Sequence, residues 1–292
     1  MRRLALAARW TYVALALLLS ACTRAERRGV DVEVVSGPLV AMSFNVRYGS
    51  ADDGPDAWPL RREDLLARIR EQQPTLLGVQ EALDFQVEWF ERELPSHVRV
   101  GQGRDGGARG EHCALFLARA QLEVLESGDF WLSERPDEVG SVGWDAALTR
   151  MCTWARVRER ATGRELTVWN AHFDHRGELA RERSGALLAT RIRATAGEHI
   201  VLGDFNCGEA SPALRSLADA RLRDTFRDVH PDAGEVGTFH AFRGGRAGEK
   251  IDFVLASPGL RTMSAAILTA LGPRGRWPSD HHAVVAMLAW RE

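Results

Sequence analysis

The chain has 292 residues, 45% of them hydrophobic and 27% charged, a folded composition that excludes wholesale disorder. Its 27 Gly and 11 Pro are spread throughout, which excludes a collagen-like or low-complexity protein. The formal charge is −2, and Arg2, Arg3 and Arg9 open the chain without an acid, so nothing in the remainder grips a nucleic-acid backbone non-specifically, although a local groove can still be basic.

Those three arginines precede an apolar run, residues 10–19, too short to span a bilayer but suited to the core of a signal peptide. The run ends in Leu19-Ser20-Ala21-Cys22, which is similar to a bacterial lipobox, where small residues admit the signal peptidase and the cysteine takes the lipid. Residues 1–21 are therefore expected to be a lipoprotein signal peptide, and residues 22–36 a polar tether. Residues 37–292 are expected to form one domain, monomeric and held to the membrane through lipidated Cys22, facing the periplasm or the cell exterior.

Residues 39–46 alternate, with Val40, Met42 and Phe44 on one face and Ala41, Ser43 and Asn45 on the other, which predicts a strand. Residues 61–72 carry Leu65, Leu66 and Ile69 at helical spacing, and Pro74 stops that helix. Residues 75–80 read as a buried strand and 85–94 as a helix. The Gly-rich stretch 101–110 leads into no helix, so it reads as a flexible loop, not a phosphate cradle. Strands are predicted over 114–117, 153–157 and 166–171, then a helix over 177–196 with Leu187, Leu188 and Ile192 inward, then strands over 199–202, 251–255 and 283–290. The unbroken run of strands between 114 and 171 does not fit one doubly wound parallel sheet. It fits a four-layer α/β sandwich, two packed mixed sheets flanked by helices. Cys113, Cys152 and Cys207 are an odd set without metal spacing and read as buried neutral thiols.

Polar residues gather at the strand ends: Asn45, Gln80-Glu81, Asn170 with His172 and Asp174, Asp204 with Asn206, and Ser279-Asp280-His281-His282. Strand-end loops are where a rigid sheet presents chemistry. Asn45, Glu81, Asp204, Asn206 and Asp280 make an oxygen-rich set suited to Mg²⁺ or Mn²⁺. Asp252 is a carboxylate inside an apolar strand, costly to bury unless paired, and a histidine is its natural partner. Taken singly, each of these residues reads as a turn former, cap or satisfied core group; only the constellation points to catalysis.

With these residues in view, the chain resembles the endonuclease/exonuclease/phosphatase superfamily of DNase I-like fold. The matching pieces are Ser43-Phe44-Asn45-Val46-Arg47, Gln80-Glu81, His172-Phe173-Asp174, Gly203-Asp204-Phe205-Asn206, Ile251-Asp252-Phe253 and Ser279-Asp280-His281, in family order. Further stretches, Trp58-Pro59-Leu60-Arg61-Arg62, Phe130-Trp131-Leu132-Ser133-Glu134 and Gly143-Trp144-Asp145-Ala146-Ala147-Leu148, are similar to a bacterial branch of secreted members. Ala283 departs from the family's usual Pro.

The resemblance implies metal-dependent phosphoester hydrolysis, with Glu81 and Asn45 as metal ligands and Asp280 as a further ligand or holder. His281 is then the general base, Asp252 its orienter, Asp204 the residue that positions the attacking water, Asn206 a partner of the phosphoryl oxygen, and His172 a donor to that oxygen or to the leaving group. His175 with Arg176, or Arg47, suits a second phosphate, and each reads equally as surface. His282 is expected on the other face. Trp58, Trp131, Trp144 and Trp277 read as loop anchors before stacking platforms. A small phosphorylated molecule or a lipid headgroup is the expected substrate. A nuclease of low sequence specificity is the alternative, and a catalytically silent binding lipoprotein the reading from another class.

Overall fold

The computed structural model describes residues 37–292; the expected signal peptide and tether, with Cys22, lie outside them. The alternating first segment forms β1 (Leu39–Asn45). The chain crosses back through α1 (Trp58–Gln72), which carries Pro in its first turn and ends where Gln73 takes a left-handed φ of 46°. That crossover returns β2 (Leu76–Gln80) parallel to β1. Then come α2 (Asp84–Glu93), β3 (His97–Val100) and β4 (Leu115–Ala118). β5 (Leu122–Trp131), β6 (Met151–Glu159) and β7 (Glu165–His172) form an antiparallel run. A second crossover, α3 (Glu178–Ala194), returns β8 (Glu198–Asp204) parallel to β7. The chain closes with α4 (Pro212–Asp219), β9 (Arg223–Asp224), α5 (Thr225–Val229), β10 (Asp252–Ala256), β11 (Leu260–Leu268) and β12 (Ala283–Trp290).

The strands make two six-stranded mixed sheets, ordered β11-β12-β1-β2-β4-β3 and β5-β6-β7-β8-β10-β9. Leu39, Leu76 and Leu117 of the first meet Val157, Val168 and Leu202 of the second in the inner core. The outer face of the first sheet buries Met42 and Phe116 against Trp58, Leu65 and Phe90; that of the second buries Trp169 and Phe253 against Leu188, Ile192 and Leu217. This is the expected four-layer sandwich. One polar bridge crosses the apolar inner core: the buried Asn170 amide donates to Val79 O and Ala114 O, both at 2.9 Å, and accepts from Gln80 Nε2 at 2.7 Å. Gly78 leaves room for it, since a Cβ there would meet the Asn170 side chain at 2.9 Å.

The predicted strands and helices occur with ends shifted by a few residues, but β3, β5, α4, β9, α5 and β11 were not legible. β3, β5, β9 and β11 are the outermost strands of their sheets. In β5 and β11 several consecutive residues are half-buried or exposed, which erases the alternation that marks a strand with one covered face. The stretch 101–110 is no loose loop either: Gly103 N, Arg104 N and Asp105 N donate to Gly107 O, Glu111 O and Arg109 O. Cys113, Cys152 and Cys207 are free; the first two are buried and the third half-buried, and burial pushes the Cys113 thiol up to about 12.

Candidate active site

Strand register brings the predicted residues together. Asp204 ends β8 with His172 of β7 opposite it on one side and Asp252 of β10 on the other. Asn45 and Gln80 end β1 and β2 as a pair. Glu81, directly after β2, and Asn206, two residues after β8, take left-handed φ values of 63° and 50°. For a residue other than glycine that conformation costs roughly 1–3 kcal/mol, and it persists where surrounding structure enforces it. Arg61 braces the loop after β1, where Arg47 also takes a left-handed φ of 55°. It is fully buried and donates to Asp56 O, Val46 O, Arg47 O and Pro278 O, tying α1 to the end of β1 and to the Ser279–Asp280–His281 segment.

The strand ends open into a cleft of about 700 Å³ lined by Glu81, His172, Asp204, Asn206, Asp280 and His281, among others. Asn45 and Asp252 stand directly behind that wall. His281 Nδ1 lies 2.9 Å from Asp252 Oδ2, and its Nε2 lies 3.8 Å from Asp204 Oδ2. Burial alone would lower the His281 pKa, but Asp252, Asp204 and Asp280 outweigh it and raise it well above the usual imidazole range. Burial beside Asp252 pushes Asp204 up to about 7. Burial, with Glu81 nearby, also raises Asp280. His172, buried and facing Arg150, is held well below the usual range and is neutral.

Two of the predicted residues make contacts that bear on their expected roles. Asn45 Oδ1 accepts from Arg47 N at 3.0 Å, so the atom facing Glu81 Oε1 and Asp204 Oδ2, each at 2.9 Å, is the amide nitrogen. Asn45 therefore bridges two carboxylates through its amide nitrogen, with its oxygen on Arg47 N. Asn206 Nδ2 donates to Phe173 O and, also at 3.1 Å, faces His172 Nε2. A carbonyl only accepts, so that atom is nitrogen, and His172 Nε2 is an acceptor with its proton on Nδ1. It is not placed to donate to a phosphate while Asn206 holds it.

The donor chemistry fits a hard divalent cation. Glu81, Asp204 and Asp280 put three carboxylates on one cleft wall, two of them raised in pKa, an excess of buried negative charge that such a cation offsets. Donor atoms of Glu81, His172 and Asp204 all lie within 4.8 Å of one another.

The other expectations sort by contact. Arg47 is tied to Asp53 at 2.9 and 3.2 Å and lies 3.7 Å from Asp280. Arg176 is exposed and does not line the cleft, whereas His175 does. His282 Nε2 bonds Gly245 O and its ring stacks on His240, away from the cleft as expected. Trp58 and Trp131 are buried, Trp144 and Trp277 half-buried, and the described cleft wall holds none of the four. Several cleft residues escaped the sequence, among them Arg150, Glu111 and Phe239. Each sits in a segment without periodicity. Only the lone charge before an apolar strand, Arg150, carried any signal.

A model of the Endonuclease/Exonuclease/phosphatase family matches residues 42–281, from β1 through His281. The chain belongs to this family. A Bacteroides vulgatus endonuclease/exonuclease/phosphatase structure is 34% identical, covering 88% of this chain and 100% of that one with a TM-score of 0.80. A Bacteroides thetaiotaomicron structure described as a mannosyl-6-phosphatase is 30% identical, covering 86% and 100%, also with a TM-score of 0.80. Drosophila melanogaster Nocturnin is 24% identical over 281 residues, which is 78% of this chain and 41% of that protein. The chain thus spans about two-fifths of the length of that relative. The family is one of endonucleases, exonucleases and phosphatases, which cleave phosphoesters.

Proposed function

We propose that the protein is a divalent-metal-dependent hydrolase of a small phosphorylated molecule or lipid headgroup, anchored through Cys22 on the outer side of the cytoplasmic membrane. The observation that carries the chemistry is the meeting of three carboxylates, two histidines and Asn206 in one cleft of about 700 Å³. That volume suits a small ligand. The similarity to a mannosyl-6-phosphatase supports a phosphorylated small molecule. The acidic balance of the chain argues against a nuclease.

Mg²⁺ or Mn²⁺ held by Glu81 and Asp280 supplies charge neutralisation at the phosphoryl oxygens and support for the leaving oxygen. The chain's own residues handle the proton. Three carboxylates face His281 and favour its imidazolium form, so Asp204 replaces the expected His281 as first acceptor. Water attacks phosphorus, its proton passes to Asp204 Oδ2, the P–O ester bond breaks, and the leaving oxygen takes the bonding pair. His281, fixed at 2.9 Å by Asp252, stabilises the charge that accumulates beside Asp204. Asn206 spends its two amide hydrogens on Phe173 O and His172 Nε2 and so holds the His172 ring at the cleft wall. Phe239, 48% exposed with its ring 5.0 Å from that of His281, offers an apolar face to the alcohol half of a substrate.

A substrate panel with added Mg²⁺ or Mn²⁺ tests this reading: sugar phosphates, inositol phosphates, sphingomyelin, p-nitrophenyl phosphate, bis-p-nitrophenyl phosphate, RNA and plasmid DNA. Turnover of a small phosphoester well above that of either nucleic acid is expected. Turnover confined to nucleic acid would overturn it.

A further inference from the structure

Arg150 stands at the entrance to β6, is 5% exposed, and lines the cleft with His172 and His175. Its Nε donates to Asp174 Oδ2 at 3.4 Å and its Nη2 donates to His175 Nδ1 at 3.0 Å. Its Nη1 is buried and has no hydrogen-bond partner. A guanidinium is always charged, and leaving one of its N–H groups buried and unpaired is costly.

Asp174 cannot take that nitrogen, and Glu111, bonded through Oε2 alone, makes no bond to it. Asp174 is saturated: Oδ1 accepts from Arg176 N and Gly177 N at 2.9 and 2.7 Å, and Oδ2 accepts from Leu148 N as well as Arg150. Glu111, in the same recess, is paired with Arg104 at 2.7 Å. Asp174 therefore holds the guanidinium plane in place without consuming it. Arginine can only donate, so His175 Nδ1 accepts and its ring proton sits on Nε2. Arg150 and His175 thus give this side of the cleft spare donors, while Glu81, Asp204 and Asp280 give the rest of it acceptors.

We infer that the Arg150 guanidinium, which lines the cleft, binds a terminal phosphate oxygen of the substrate and makes this a phosphomonoesterase. The inference rests on the phosphoester-hydrolase reading above and narrows it. A phosphomonoester presents three non-bridging oxygens and about two negative charges near neutral pH. In a diester one of those oxygens carries a second alcohol, which has no charge to offer a guanidinium and whose bulk meets the Arg150 side of the cleft. His175 Nε2–H provides a second donor beside it, and orthophosphate, the product of monoester hydrolysis, makes the same contacts.

The test compares the full-length wild type with Arg150→Lys and Arg150→Gln, with Mn²⁺ supplied. It measures kcat/KM on p-nitrophenyl phosphate and on bis-p-nitrophenyl phosphate, orthophosphate inhibition, and melting temperature. Wild type is expected to prefer the monoester. In both variants the monoester-to-diester ratio should fall roughly 10- to 100-fold, the worth of one charge-assisted hydrogen bond, and orthophosphate inhibition should weaken by a similar factor. Arg150→Lys retains the charge and a partner for Asp174, so it carries the test if Arg150→Gln does not fold. A wild type that prefers the diester overturns the inference. So does an unchanged ratio, or an orthophosphate inhibition constant that does not move, because a purely structural Arg150 would lower both activities alike. A wild type that turns over neither compound, and no other phosphoester, overturns the function reading itself, a result distinct from these.

Discussion

At the residue scale the account turns on one charge problem. Asp204 has a carboxylate directly opposite it in the next strand, Asp252, and both face His281. Like charges opposite each other in a sheet repel, and the imidazolium between them relieves that repulsion. The three residues should therefore act as a unit. Removing a positioned proton-handling group costs on the order of 10²–10⁴ in rate. His281→Ala and Asp252→Asn are each expected to lose that much in kcat, and the double variant is expected to be hardly slower than either single one. Rate measurements on all three check this; losses that multiply would show that Asp252 does not work through His281. The pairing of His281 with Asp252 was legible in the sequence, because a carboxylate in an apolar strand needs a partner. The proton's position was not, because it depends on Asp204 closing in from β8 while Asp280 stands beside His281 in its own segment.

At the scale of elements, the strands that carry the site were the easiest to read, since β1, β2, β7, β8 and β10 are covered on both faces and their apolar runs end abruptly in polar residues. Arg150, with only its charge ahead of an apolar strand as a signal, and Glu111, with none, escaped because they lie in irregular segments without a repeating pattern. The resemblance motif at residues 143–148 gains a physical reason instead: Asp145 accepts from Ala180 N and Leu179 N, satisfying the N-terminus of α3 from another loop. The inter-sheet bridge supplies the prediction here. Asn170→Ala would remove three buried hydrogen bonds; Gln80 Nε2 keeps Ser43 Oγ and Gly78 O, and Ala114 O keeps Val79 N, but a buried polar group that loses its partner costs roughly 1–3 kcal/mol. The melting temperature should fall by several degrees or more, with metal affinity little changed. A melting temperature within a degree of wild type would mean that the bridge contributes nothing net.

For the whole molecule, two packed sheets act as a rigid frame whose strand ends at one edge hold the cleft, and the expected anchor is a separate matter. No helix among the described residues is long and apolar enough to cross a membrane, so the membrane reading rests on the lipobox-like Leu19-Ser20-Ala21-Cys22. Cys22→Ala is expected to abolish fatty-acid labelling in cells while leaving catalysis by the purified protein intact. Equal labelling of wild type and variant would remove the anchor without touching the chemistry.

The claim that joins these scales is that the carboxylate wall works by holding a divalent cation. The direct measurement is phosphoester turnover by the EDTA-treated protein as Mg²⁺ or Mn²⁺ is titrated back, for wild type and Glu81→Gln, alongside metal-free melting curves. Wild type should be silent in EDTA and recover with either ion. Glu81→Gln should need about tenfold or more metal for half-recovery, since a ligand charge has gone, while its metal-free melting curve stays close to wild type. Full turnover in EDTA, or an unshifted titration for Glu81→Gln, would contradict the account.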